Sequence, residues 1–292
     1  MPSAAAAAAA AARDPEEAAA PAHPPTHRLD GLRAVVFDTD GVITDSARVH
    51  AAAWKEAFDD CLREWRERGG GQPQKGPRDR FRPFDIREDY RRYVDGRSRL
   101  DGAAAFLASR GLDLPPGEPD DPPGNGTVRA VAARKERLFT AALRQDGVQA
   151  WPGTLRLLRA LRREGVPMAV ISASRHAREL LSGAGVLEVF DAVVDGHEAA
   201  RLGLPGKPDP AVFLEAARRL GVAPGEAAVV EDALAGVEAG RRGGFGLVVG
   251  VDRTNGPTSA RDLREHGADV VVTDLAELLP PGPRTGRHDE EG

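Results

Sequence analysis

The sequence predicts an α/β fold: a Rossmann-like parallel sheet core with helices on both faces, interrupted by an inserted, mainly helical cap domain. Three observations predict it. Short apolar, β-branched runs alternate with helix-like segments. These runs are apolar at successive positions, not at every second one. Each of the most apolar runs ends in a cluster of polar residues. Strands that are apolar on both faces belong to a parallel sheet covered by helices.

The elements follow in order. Residues 1–28 are of low complexity; the alanine run at 4–12 lacks the basic start of a signal peptide, so the segment reads as a disordered tail. Residues 32–37 (LRAVVF) form the first strand and run into Asp38-Thr39-Asp40-Gly41. A helix is expected over 47–65. Further strands are expected at 167–171, 192–194, 227–230, 246–249 and 269–272, with helices at 154–164, 177–184, 210–220 and 233–242. The alternation fails once, between about 47 and 150. The core is therefore expected over 29–46 and 150–279, the cap over 47–149, and a second tail over 280–292. Within the cap, residues 69–83 and 114–126 are Gly/Pro-rich and read as flexible loops.

Composition excludes several classes. The chain of 292 residues carries 40 basic and 45 acidic side chains, a net charge of −5 that disfavours a dedicated nucleic-acid binder. The basic and aromatic residues of 61–99 read as a solvated helical face. A single cysteine, Cys61, excludes a disulfide scaffold and a multi-cysteine zinc site. No apolar stretch reaches the roughly 18 residues a membrane helix needs. A cytoplasmic monomer is expected, with no nucleic-acid or membrane partner.

Ligands of open α/β sheets bind beyond the carboxyl ends of the strands. There the sequence places Asp38 and Asp40 after the first strand, Ser172 after the second, and Glu231 and Asp232 after the fourth, with Lys207 in the loop before the fourth. Only four lysines stand against 36 arginines, which makes each lysine informative. Crowded carboxylates repel one another unless a cation lies between them, and hard oxygen ligands suit Mg²⁺. A hydroxyl and an ammonium opposite would take the remaining oxygens of a phosphoryl group. One carboxylate can be the nucleophile and another the general acid and base. The assembly reads as phosphoryl transfer.

At these residues the sequence resembles the haloacid dehalogenase-like superfamily, over about residues 32–275. Its motifs appear as Asp38-Thr39-Asp40-Gly41-Val42-Ile43-Thr44-Asp45, Ser172, Lys207 and Glu231-Asp232. The resemblance implies Asp38 as nucleophile and Asp40 as general acid/base with its carbonyl on Mg²⁺. It implies Ser172 and Lys207 as phosphoryl ligands, and Asp232, with Glu231 binding or supporting, as metal ligand. More narrowly the chain looks like the β-phosphoglucomutase-like subfamily. That likeness rests on DTDGVITDS at 38–46, His50, Ala53-Trp54-Lys55, Gly96-Arg97-Ser98-Arg99, Arg134-Lys135 and Ser172-Ala173-Ser174. It implies that His50 and Lys135 help set the catalytic Asp and the closed state, that Arg99 grips the phosphate not being transferred, and that Ala173 and Ser174 bind substrate. The pattern departs from the subfamily at Arg175-His176, where an Asn is common, and at Leu100, where an acidic residue is usual. The implied activity is a Mg²⁺-dependent interconversion of β-D-glucose 1-phosphate and glucose 6-phosphate through an aspartyl phosphate, with a small-molecule sugar phosphate as the only partner. A phosphatase acting on a sugar phosphate or another small metabolite stays open, because both reactions share the core.

Overall fold

A computed structural model describes residues 29, 31–68, 80–253 and 257–280. The two expected tails lie outside the described residues but for Pro280, as does the expected loop over its residues 69–79.

Six strands form one sheet: β1 (Ala34–Asp38), β2 (Met168–Ile171), β3 (Ala192–Val194), β4 (Ala227–Glu231), β5 (Leu247–Val251) and β6 (Val270–Val272). Every pairing is parallel and the order is β3-β2-β1-β4-β5-β6. Successive residues of a strand point to opposite faces, and here both faces are buried. Val35, Phe37, Val170 and Val230 pack on one side with Leu157, Leu158 and Leu161. Val36, Ala169 and Val229 pack on the other with Phe213 and Val237. The helices responsible are α4 (Pro152–Arg163), α7 (Ala211–Leu220) and α8 (Leu234–Arg242). With α5 (Ala177–Gly183) they lie where the sequence places them.

Among the described residues two α-helices of the core were not expected. One is α6 (Gly196–Leu202), where Asp195 Oδ1 accepts from the N–H groups of His197 (3.0 Å) and Glu198 (2.9 Å). The other is α9 (Pro257–Glu265). α6 is only seven residues long, too short to show a period.

The first strand sits at the centre of the sheet, and the order turns around it: β2 lies on one side and β4 on the other. Asp38 pairs with Ile171 and Phe37 with Val230, so Asp38, Ser172 and Glu231 leave the sheet side by side.

Between β1 and β2 the chain is helical, as expected. It contains α1 (Ser46–Arg68), a π-helical turn at Tyr90–Val94, α2 (Arg99–Ser109) and α3 (Val128–Asp146). Ser98 and Thr127 cap α2 and α3 through the N–H groups of Asp101 and Ala130. Trp54, Phe58, Phe84, Phe106 and Val131 make a cluster of their own, in which Cys61 is also buried. Burial pushes the Cys61 thiol up to about 12. Residues 114–126 form no helix or strand, yet they are tied down: the N–H groups of Val128 and Arg129 donate to Pro115 O and Pro116 O at 3.0 and 3.1 Å.

The two ends of this helical layer run beside each other, with Asp45 N–H on Gln149 O and Trp151 N–H on Ile43 O, both at 3.0 Å. Its far side meets α9 through Arg91 Nη2 and Asp262 Oδ2, 3.0 Å apart. Among the described residues no helix is long and apolar enough to cross a membrane.

Candidate active site

A cavity of about 390 Å³ lies between the carboxyl ends of the strands and the helical layer. Asp38, Asp40, Ser172, Lys207 and Asp232 line it from the sheet side, with Ala173 and Ser174; His50, Arg99 and Lys135 line it from the helical side. Glu231 lies fully buried behind Lys207. The structure thus gathers the candidate residues around one space.

The loop after β1 is built to present two carboxylates. Thr39 Oγ1 donates to Ile171 O at 2.8 Å, fixing the first turn to the neighbouring strand. Asp40 N–H donates to Asp38 Oδ2 at 2.9 Å. Gly41 has a φ of +81°, and a Cβ there would overlap the Asp232 carboxylate, so a side chain is excluded on two grounds. Gly236 plays the same part for Glu231, whose carboxylate fills the space a Cβ would take.

Lys207 Nζ donates to Asp38 Oδ1 at 2.5 Å and to Glu231 Oε1. Burial alone would lower its ammonium; Asp38 and Glu231 outweigh this and hold it above the ordinary lysine value. Burial raises the Asp38 carboxyl well above the carboxylate range, with Lys207 working against the rise and Glu231 and Asp40 adding to it. Asp232 is raised likewise, by burial and then by Asp95, Glu231 and Asp38. One oxygen from each of Asp38, Glu231 and Asp232 lies within 4.8 Å of the others. Two buried carboxylates and a half-buried one this close fit a hard divalent cation, which would relieve their repulsion. Glu231 has its other oxygen on the Ala233 N–H (2.7 Å), so it supports Lys207 as much as it faces a cation.

Asp40 is handled differently. Its Oδ1 accepts from Ser46 Oγ at 2.5 Å and lies 3.3 Å from His50 Nε2; its Oδ2 accepts from Ser172 Oγ at 3.2 Å. Burial would raise its carboxyl, but His50, Ser46 and Lys135 prevail and hold it far below the usual range. Lys135 Nζ lies 2.7 Å from His50 Nδ1, over the face of Phe139, and burial lowers its ammonium to about 8. Donation from Lys135 leaves Nδ1 as acceptor and puts the imidazole proton on Nε2, towards Asp40. Lys135, His50 and Asp40 therefore stand in series.

Arg99, expected to grip the phosphate not being transferred, lines the cavity with a carboxylate partner already in place. Its Nη1 is paired with Glu136 Oε2 at 2.7 Å. Glu136 and Asp95 line the cavity and escaped the sequence reading. Glu136 is hidden in the charged run 134–137, and nothing local distinguishes its inward position from a solvated one. Pro119 also lines the cavity, so the loop at 114–126 takes part in shaping it.

This geometry has counterparts. The sequence pattern of the haloacid dehalogenase-like hydrolases matches residues 32–244. The chain belongs to that family, and it is a phosphoryl-transfer enzyme. Within the family its likeness is to the β-phosphoglucomutases. It is 47% identical over 248 residues to β-phosphoglucomutase of Mycobacterium bovis, covering 85% of this chain and 92% of that one. Hexitol phosphatase A of Escherichia coli is 27% identical over 247 residues, covering 83% and 91%. The crystal structure of a β-phosphoglucomutase from Clostridium difficile superposes with a TM-score of 0.61 over 85% of this chain and 93% of that one, at 23% identity, a likeness of fold.

Proposed function

We propose that the protein is a Mg²⁺-dependent phosphoglucomutase of the β-anomer, interconverting β-D-glucose 1-phosphate and glucose 6-phosphate through an aspartyl phosphate on Asp38, in the cytoplasm. The observation that carries this reading is the two-ended cavity. At one end Asp38 stands beside a lysine and a carboxylate cluster; at the other, Arg99 reaches in from the helical layer. A sugar bisphosphate has a phosphate for each end. The 47% identity to a β-phosphoglucomutase supports the same choice.

Asp38, Asp232 and the Asp40 carbonyl would hold Mg²⁺, with Glu231 behind them; the ion supplies charge to draw the phosphoryl oxygens and the Asp38 carboxylate together. The remaining work falls to side chains. Starting from phosphorylated Asp38, the sugar hydroxyl attacks phosphorus while Asp40, held ionised, accepts its proton. The P–O bond to Asp38 breaks and the bisphosphate is formed. In the return half, with the sugar turned end for end, the Asp38 carboxylate attacks the other phosphate, and Asp40 returns its proton to the leaving sugar oxygen. Lys207 and Ser172 neutralise and orient the phosphoryl group. The helical layer acts as a cap that keeps water from the aspartyl phosphate.

The experiment is ³¹P NMR of the protein with β-D-glucose 1-phosphate and a trace of the 1,6-bisphosphate, with Mg²⁺ and again after chelation. Glucose 6-phosphate formed only with Mg²⁺ is the expected result. Release of free phosphate instead would assign the protein to the phosphatases, as the E. coli relative is named.

A further inference from the structure

Arg99, Glu136 and His176 form a chain that crosses from cap to core. Glu136 on α3 has a separate partner for each oxygen: Oε2 faces Arg99 Nη1 at 2.7 Å, and Oε1 faces His176 Nε2 at 2.6 Å. His176 belongs to the core, just ahead of α5, and its Nδ1 also meets Glu179 Oε2 at 3.0 Å. Arg99 and Glu136 both line the cavity. A guanidinium placed for a phosphate is thus occupied by one of the chain's own carboxylates.

We propose that Glu136 is an internal stand-in for the substrate's second phosphate, holding Arg99 until a dianion displaces it while His176 keeps Glu136 tied to the core. This rests on the reading of Arg99 as the ligand of the phosphate not being transferred. A phosphate dianion offers a guanidinium more charge and a bidentate fork, so it wins the exchange. The displaced carboxylate keeps its bond to His176 and stands beside Lys135, so it does not become an isolated buried charge. Its nearness to the bound dianion weakens that dianion's hold, which favours release of a bisphosphate that must let go and turn round. Glu136 is therefore a positioning residue acting through Arg99. Burial would raise its carboxyl, but Arg99, Lys135 and His176 hold it below the usual range, so it is charged when the anion arrives.

The test is a calorimetric titration of the full-length, Mg²⁺-loaded protein with inorganic phosphate, in the native chain, Glu136→Gln, Arg99→Ala and the double variant. The component of binding lost in Arg99→Ala reports the distal position. Glu136→Gln should tighten that component by about tenfold, the size of one charge-assisted contact, and should change nothing once Arg99 is gone. It should also lower KM and kcat together, because release slows, whereas mere damage to the site would raise KM. Glu136→Asp, which keeps the charge, should stay near native affinity. Unchanged or weaker phosphate binding in Glu136→Gln, or an equal gain without Arg99, would overturn the proposal. Mutase turnover with no such coupling would remove the role of Glu136 alone; coupling in a protein that only releases free phosphate would remove the mutase reading alone.

Discussion

The floor and the roof of the cavity are held by different means. On the floor, Asp38 and Glu231 are the last residues of adjacent strands, and Ser172 follows a third. Their spacing is set by sheet register, which cannot slip by one residue without turning buried side chains outward. On the roof, Arg99 begins α2 while Lys135 and Glu136 sit on α3, and their positions depend on side-chain pairs across gaps. The difference teaches where variation is tolerated. On the proposed function the chemical step would be anchored in backbone geometry, and the choice of substrate would rest on contacts that one substitution can redraw.

The strongest way to break the comparison is Asp38→Asn. It keeps the shape and removes the attacking charge, so turnover should fall by at least about 10⁴-fold and no acid-labile phosphoenzyme should be trapped from labelled bisphosphate. Substantial turnover in this variant would mean that the floor does not do the chemistry.

Next in size is Arg99→Ala. Loss of the distal phosphate contact and of the alignment it gives should depress mutase turnover by roughly 10²–10³-fold. Hydrolysis of acetyl phosphate, which has no second phosphate, should change less than a few-fold. Equal losses in both reactions would show that roof and floor are not separable.

A smaller effect concerns Lys135, whose ammonium is lowered from 10.5 to about 8 by burial. Below about pH 8 the folded protein carries the desolvation cost of the charged amine. Between about 8 and 10.5 the unfolded chain binds the proton that the folded one has lost, so this group's contribution to stability rises with pH. The rise is of the order of 3 kcal/mol. Lys135→Met should flatten it, measured as the difference between the urea-unfolding profiles of the two proteins from pH 7 to 10.5. An unchanged difference across that window would contradict the shift. The smallest effect should come from Arg91→Ala at the half-exposed pair with Asp262. Less than about 1 kcal/mol of stability should be lost, and less still in high salt. A larger loss would mark that contact as a true clamp of the roof.

The same contrast explains what could be read from the sequence. The strands were legible because Val35, Val36 and Phe37 are all buried, a pattern that only a covered parallel sheet produces. The floor residues follow from it, since a polar residue after such a run has one place to be. α9 was not legible because its sequence, PTSARDLRE, is mostly polar. Glu136 and Asp95 were not legible for a deeper reason: their inward position is created by helices and a turn approaching the core from elsewhere in the chain. Arg99 was found, but its partner was not, because a pair 37 residues apart on two helices leaves no local trace.

The sheet ends on both sides in strands of only three residues, β3 and β6. On β3 the Val193 carbonyl is already taken by Arg219 Nη1 at 3.0 Å. A neighbouring chain seeking to extend the sheet therefore finds a short row of free amides and carbonyls, partly occupied by a charged side chain. Short, blocked edges are how proteins with apolar strands resist zipping together. The strands that make the site legible, Val-rich and without a polar face, are the ones most prone to aggregate if left open. Their placement in the middle of the sheet, behind short edge strands, leaves little of their backbone open to β-pairing.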